Sequence, residues 1–430
     1  MFFKGAALKL PQGPNVPLAE TWRRVASGIL MNGVYIHMAK FLHCADLHLG
    51  KHAYGHPERF ADVMRSFSHI ADWAVREKLD FMLVSGDIFD TRVINSGTLS
   101  QAVLIFEKLA QAGMDVYAIE GNHDRAFFRD KDSWLQFLEG RGYVKLLKPS
   151  ADGQEICFEE YRGGAGCIAH AAGVRVIGLG YPGASCAAYL GKMDEWLQKS
   201  DEYTVLMLHA GFSKMFSEDL GRLDVALLEK LLDRVDYVAM GHIHRQEIIR
   251  DRIRMPGSTE YMDAREAMRR DPKGFYTVDT ESGAIEFMPV PVRPYYFIDI
   301  SAQEADPVAA VLAKTGVFTD KPVLGITLKA NGPVADKKEL EASIAQATGA
   351  LLCEITVVSE AGTETPAEER GLNREAFERA VLFDLLSETG MDSQKAGVLA
   401  AFAMEQKKNA GSFDAELALA GLLEVGRNAD

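Results

Sequence analysis

"VDYVAMGHIHRQE", residues 235–247, decides how the rest of the chain is read. "VDYVAM" is a short apolar run of the kind that forms a strand buried on both faces. Gly241 then opens a turn, and His242 and His244 follow with only Ile243 between them. In a glycine-opened loop both imidazoles can turn toward one point, which is useful only if other loops bring partners there.

Four other places repeat the arrangement. "ADLHLG" (45–50) follows the strand-like "KFLHCA", "SGDIFD" (85–90) follows "FMLVS", "EGNHDR" (120–125) follows "DVYAI", and "MLHAG" (207–211) ends "TVLMLH". "VRVIGL" (174–179) is a further strand. Between them lie helical patterns: Phe60, Val63, Met64, Phe67, Ile70 and Ala74 recur at helical spacing, as do the apolar residues of "LSQAVLIFEKLAQAG" (99–113). Strands alternating with amphipathic helices predict an α/β domain with largely buried sheets. Ligands of such domains gather at the carboxyl ends of the strands.

A chain of 430 residues is too long for one ordinary domain. Residues 1–37, with the loop-like "KLPQGPNVP", read as an N-terminal extension, an upstream or non-native start, and "MAKFLHCADLH" at Met38 reads as the natural first strand. The main domain spans 38–292. In 293–362 the pattern changes to the strands "YYFIDI", "VLGITLKA" and "LLCEITVV" separated by two helices, a small α+β unit. Residues 363–430 complete a linker and then carry three helices, the first two ending near glycine.

With 47% hydrophobic and 25% charged residues the composition is that of a globular protein, and no apolar run is long enough to span a bilayer. No signal peptide is evident. Five scattered cysteines without C-x-x-C spacing point to a reducing compartment, the cytoplasm, and away from disulfides or zinc–thiolate sites. The net charge of −14 argues against indiscriminate nucleic-acid binding. That acidity is uneven, however: residues 301–430 hold 21 acidic and 12 basic side chains, leaving the main domain open to a phosphate-rich substrate.

The five strand ends carry carboxylates, imidazoles and an amide, a donor set suited to hard-to-borderline divalent ions. Asp46, His48, Asp87, Asn122, His209, His242 and His244 are more donors than one ion needs while keeping an open position. Two ions sharing one carboxylate would use them all, and a dinuclear site of this kind supports in-line displacement at phosphorus. Gly86, Gly121 and Gly241 are expected to let the backbone turn sharply enough for the side chains to converge. Each element alone is weak; their succession, each behind an apolar strand, is what carries the reading.

The series D-x-H, G-D-x-x-D, G-N-H-D, H and G-H-x-H resembles the calcineurin-like metallophosphoesterase superfamily. "RFADVMRSF", "LDFMLVSGDIFD", "MPGSTEYMDAREA" and "PVRPYYFIDI" make the chain similar, within it, to DNA-repair exonucleases of the SbcD and YhaO type, the bacterial counterparts of the meiotic-recombination double-strand-break nuclease. The resemblance implies a two-sheet sandwich flanked by helices, with a small α+β cap and a C-terminal helical segment. It implies one ion on Asp46, His48 and His244, the other on Asn122, His209 and His242, and Asp87 between them. The ions would be Mn2+ first, with Fe2+, Zn2+ or Mg2+ as alternatives, and a bridging hydroxide would attack in line. His123 would be the non-ligand histidine that protonates or stabilises at the scissile phosphate, and Asp90 its orienting partner. The implied partners are DNA, an SbcC-like coiled-coil ATPase docked on the helices at 371–426, and a second copy of the chain; no membrane is implied.

The remaining histidines, His43, His52, His56, His69 and His170, match no motif and are assigned to core or surface. Lys51, Arg92 and Arg125 lie next to the motifs in sequence. Two other functions fit less of the chain. A phosphoesterase of small phosphodiesters, nucleotides or phosphoproteins would leave about 130 C-terminal residues without a use. A scaffold with a vestigial site conflicts with the presence of all seven donors and His123.

Overall fold

In a computed structural model of the chain, the structure describes residues 28–31, 34–37, 39–126, 132–152, 155–212, 223–303, 306–330 and 336–358. The linker and the three C-terminal helices read from the sequence, and with them the ATPase-docking segment 371–426, lie outside the described residues. Nearly all that is described belongs to one compact unit, Met1–Leu328 with Val334–Thr356.

Two six-stranded sheets form the main domain. The first runs in the order Ile285–Pro289, Gly274–Asp279, Lys40–Cys44, Phe81–Ser85, Asp115–Ile119, Lys145–Leu146. Its central strands are parallel, with Phe41 opposite Phe81 and Phe81 opposite Asp115, and Gly274–Asp279 joins them antiparallel. The second runs Glu247–Arg250, Ile253–Met255, Tyr237–Gly241, Tyr203–His209, Val174–Gly178, Ile168–Ala171, again with a parallel centre.

The side-chain period of two divides each central strand between two cores. Phe41, Phe81 and Leu83 face Val205, Met207, Tyr237 and Ala239 across the gap between the sheets. The Phe41 and Phe81 rings stack with centroids 4.9 Å apart, and Tyr237 meets Phe41 edge-on at 5.9 Å. Leu42, Cys44, Met82 and Val84 point the other way, onto Val63, Phe67, Ile70, Phe106 and Leu109. Those belong to the helices Pro57–Arg76 and Ser96–Gln111, which cover the outer face of the first sheet. On the second sheet the outer core takes Leu190 and Met193 from the helix Cys186–Trp196. With both faces buried, each strand reads as a continuous apolar run.

Local signals set the helix starts. Pro57 stands at the first turn of Pro57–Arg76, where its missing N–H is harmless, and His56 caps that turn by accepting from Glu58 N at 3.1 Å. Asn95 caps Ser96–Gln111 through Thr98 N at 2.8 Å. Beyond the sandwich, Tyr295–Ser301, Val323–Lys329 and Leu352–Val358 make a three-stranded sheet in that order, with the helices Pro307–Thr315 and Lys337–Thr348 between its strands. The sequence reading placed no regular structure before Met38, yet Gly28–Met31 and Val34–His37 pair as an antiparallel hairpin.

Candidate metal centre

Five loops leave the carboxyl ends of parallel strands at one edge of the sandwich. Within the first sheet the loops are laced together: Asp46 N donates to Gly86 O at 3.1 Å, His48 N to Asp87 O at 3.0 Å, and Leu49 N to Ile88 O at 2.8 Å. Across the sheets, His209 Nδ1 donates to Ser85 O at 2.8 Å and His242 N to both Asp46 carboxylate oxygens at 3.1 Å. His123 N donates to Asp87 Oδ1 at 2.9 Å.

The backbone is strained where the donors sit. Asp46, His48, Asp87 and His242 have φ of 51°, 45°, 51° and 97°, values that non-glycine residues avoid at about 1–3 kcal/mol each. The glycines do not all work as expected. Gly86 does turn in the left-handed region, at φ +86°. Gly121 and Gly241 have no such φ; they are glycine because there is no room. A Cβ on Gly121 would stand 2.0 Å from Asp87 Oδ1, and one on Gly241 2.1 Å from Ser85 O.

Three groups of donor atoms meet at this edge: Asp46, His48 and His244; Asp87, His209 and His242; and His48, Asp90 and His123. Within each the ligand-type atoms lie inside 4.8 Å of one another. Asn122 joins the second, its Oδ1 being 3.2 Å from His209 Nε2 and 3.0 Å from His242 Nδ1. Asp87 stands between the first two groups, with Oδ2 3.2 Å from His209 Nε2 and 3.8 Å from His48 Nε2. All seven sequence-predicted donors and His123 therefore come together.

Proton positions follow from the neighbours. His48 Nδ1 lies 3.2 Å from Asp90 Oδ1, and His244 Nδ1 2.7 Å from Glu266 Oε1. An ionised carboxylate only accepts, so both Nδ1 atoms carry protons, and in the neutral rings both Nε2 atoms present lone pairs. Those two Nε2 atoms are 2.9 Å apart. His209 Nδ1 gives its proton to a carbonyl, so its Nε2 lone pair faces Asp87, Asn122 and His242. Apart from the proton that Asp87 holds on His209 Nε2 while no cation is bound, the converging atoms offer unshared electron pairs, a donor set that fits divalent cations.

The charges agree. Burial raises the Asp46 carboxyl above its usual range. Burial also opposes ionisation of Asp87, but His209 and His48 outweigh it and hold that carboxyl well below the ordinary range. Burial works against charging His209 as well, yet Asp87 lifts it to about 9. Burial and the neighbouring His209 push His242 down to about 3. With protons alone, positive charge collects on His209, at the carboxylate between the two groups.

Asp90 behaves differently from expectation. Its carboxylate meets His48 and Lys51 Nζ, each at 3.2 Å, while His123 Nδ1 donates to the Asp90 main-chain carbonyl at 2.6 Å. The backbone of Asp90, not its side chain, orients His123. The loop itself is pinned by Asp124, which accepts from Ile88, Phe89 and Gly121 N–H at 3.0–3.1 Å. Burial, together with Asp87, raises Asp124 to about 7.

Sequence reasoning missed the support of His244. Glu266 also accepts from Lys273 Nζ at 2.6 Å, Ser258 Oγ at 3.3 Å and Met262 N at 3.1 Å. Lys273, its side chain wholly buried, donates in addition to His244 O at 2.8 Å and Ser258 Oγ at 2.7 Å. A carboxylate behind a ligating imidazole fixes its tautomer and direction. The signal available was the phrase "STEYMDAREA", in which Glu266 is indistinguishable from a helix-capping residue accompanying Asp263.

The unassigned histidines stay out of the centre. His43 is buried, bonded to Tyr237 OH at 2.8 Å and Met240 O at 3.1 Å, and burial lowers it to about 3. His52 stacks on Phe60, His56 is the helix cap, and His170 is exposed between Glu160 and Glu202. Cys44 packs in its strand.

Two facing sheets, outer helices and a histidine–carboxylate centre at the strand ends define a metal-dependent phosphoesterase. Residues 39–246 match the calcineurin-like phosphoesterase family, and the chain is a metal-dependent hydrolase of phosphate esters. Members of the family use a dinuclear divalent-metal site. The chain is 26% identical over 368 residues to the DNA double-strand break repair protein Mre11 of Aeropyrum pernix, covering 79% of this chain and 85% of that protein. It is 28% identical to the protein of that name from Archaeoglobus fulgidus, over 62% of each chain. To the uncharacterized metallophosphoesterase YhaO of Bacillus subtilis it is 29% identical, over 57% of this chain and 59% of that one. It thus spans less than two thirds of the last two.

Proposed function

We propose that the chain is a metal-dependent DNA phosphodiesterase, an exonuclease with endonuclease cleavage as a second mode, acting in double-strand-break repair. The observation that carries this reading is Asp87, whose Oδ2 stands 3.2 Å from His209 Nε2 and 3.8 Å from His48 Nε2 and so can serve two ions at once. Asp46, His48 and His244 would hold one; Asn122, His209 and His242 would hold the other. Two divalent ions, manganese first and iron, zinc or magnesium as alternatives, would supply a nucleophile near neutral pH and charge neutralisation for displacement at phosphorus.

The chain's own groups do the rest. His123 Nδ1–H is committed to the Asp90 carbonyl, so Nε2 is the ring atom left to face the substrate and pass it a proton. The Asp90 carboxylate and Glu266 aim His48 and His244. DNA enters this reading through the names of the Aeropyrum and Archaeoglobus relatives. The α+β unit at 293–362 then orients the strand, the segment 371–426 docks an SbcC-like coiled-coil ATPase, and two copies pair.

The test is hydrolysis of linear duplex and single-stranded DNA with manganese, beside bis-p-nitrophenyl phosphate and cyclic nucleotides. Rapid DNA cleavage is expected; brisk turnover of the small esters with DNA left intact overturns the reading.

A further inference from the structure

A cavity of about 490 Å3 opens beside the metal centre, on the side of Asn122, His209 and His242. That volume falls within the usual range of small-ligand sites, roughly 300–1,000 Å3. Arg125, Lys148, Glu120, Gln136, Tyr181 and Tyr189 are among its walls. Glu120 and Arg125 flank the loop that carries Asn122 and His123, and Tyr181 touches the centre directly: its ring lies 5.4 Å from that of His242 and 6.0 Å from that of His209.

The wall is built to hold a cation in one place. The Arg125 guanidinium sits over the Tyr181 ring at 5.3 Å, and its Nη2 donates to Tyr181 O at 2.5 Å. Stacking and that single bond fix the fork and leave its other N–H groups for an anion. Lys148 adds a second charge, with Nζ on Glu120 at 2.8 Å and two more hydrogens to give. The Tyr181 ring is enclosed by Arg125 and His242, so it organises the arginine and is not itself a stacking platform. Tyr189, half-buried on the helix Cys186–Trp196, lines the cavity with no ring contact to another residue described here and supplies the flat apolar surface.

We infer that this cavity binds a nucleotide, its phosphate on Arg125 and Lys148 and its base against Tyr189. For the source of the nucleotide the inference rests on the nuclease reading: it is the residue next to the cleaved phosphodiester, whose own phosphate lies at the centre. Two phosphates of one strand are then gripped together, which sets where along the strand the cut falls.

Calorimetric titration of the full manganese-loaded chain with three probes separates the parts: 2-deoxyribose 5-phosphate, thymidine 5′-monophosphate, and thymidine 3′,5′-bisphosphate. The base is expected to add about tenfold in affinity over the bare sugar phosphate, and the second phosphate about tenfold again. Tyr189→Ala removes the first increment while Tyr189→Phe retains it, and Arg125→Ala removes the second. Wild-type increments near unity, or increments that survive Tyr189→Ala and Arg125→Ala, overturn the inference. DNA cleavage by the same preparation is scored alongside. Cut DNA without the increments sinks this inference alone; intact DNA with both increments sinks the nuclease reading and leaves a site for free nucleotides.

Discussion

His48 and His244 face each other through the nitrogens that their neutral rings leave unprotonated: their Nε2 atoms are 2.9 Å apart while each Nδ1 is held by a carboxylate, Asp90 on one side and Glu266 on the other. Two lone pairs so placed repel unless a cation accepts both, so the two outer carboxylates define the site as much as the rings do.

Glu266→Gln keeps the size of the side chain and removes the charge that fixes the His244 tautomer. Manganese affinity is expected to fall about 10–100-fold, the usual effect of losing a carboxylate behind a metal-bound histidine. Calorimetry of metal binding checks it, and unchanged affinity would remove Glu266 from the account.

His123→Gln removes a proton donor and no metal donor. Metal content is expected to stay near the wild-type value, while kcat falls by about 10²–10⁴. Loss of metal together with activity would mean that His123 is itself a ligand.

Gly121→Ala sets a methyl 2.0 Å from Asp87 Oδ1 and 2.4 Å from its backbone nitrogen. Overpacking of this kind costs about 1–3 kcal/mol, and here the strain falls on the shared carboxylate. Both stability and metal stoichiometry are expected to drop. Gly140→Ala, at a position with nothing within 4 Å of the added carbon, is the control that should change neither.

The metal-free chain has a pH signature. Burial disfavours charged His209, but Asp87 outweighs it and raises the group to about 9, against about 6.5 when unfolded. A raised histidine stabilises the fold fully below about 6.5 and loses that contribution as pH climbs toward 9. Denaturant unfolding in the presence of a chelator should show stability falling across this window, and manganese affinity should rise over it as the proton leaves Nε2. A flat profile contradicts the assignment.

Most of the sandwich was legible because its strands are buried on both faces and its helices on one. Runs such as "FMLVS" and the spacing of Val63, Phe67 and Ile70 carry that directly. The donors were legible because each sits at the end of such a strand or in the loop that follows it. What was not legible depends on contacts between distant segments. Whether Asp90 offers His123 a side chain or a carbonyl is decided by the turn of its loop. Gly121 is required by Asp87, some thirty residues earlier in the chain, and Lys273 is buried only because Glu266 and Ser258 surround it. Strands of two or three residues, such as Lys145–Leu146 and Ile253–Met255, are too short to leave a periodic signal.

The central claim is that Asp87 joins two cations, and anomalous diffraction from crystals grown with manganese tests it most directly. The account predicts two peaks about 3.5–4 Å apart, one against Asp46, His48 and His244, the other against Asn122, His209 and His242, with Asp87 touching both and both lost in Asp87→Ala. A single peak, or two peaks of which Asp87 touches only one, would contradict it.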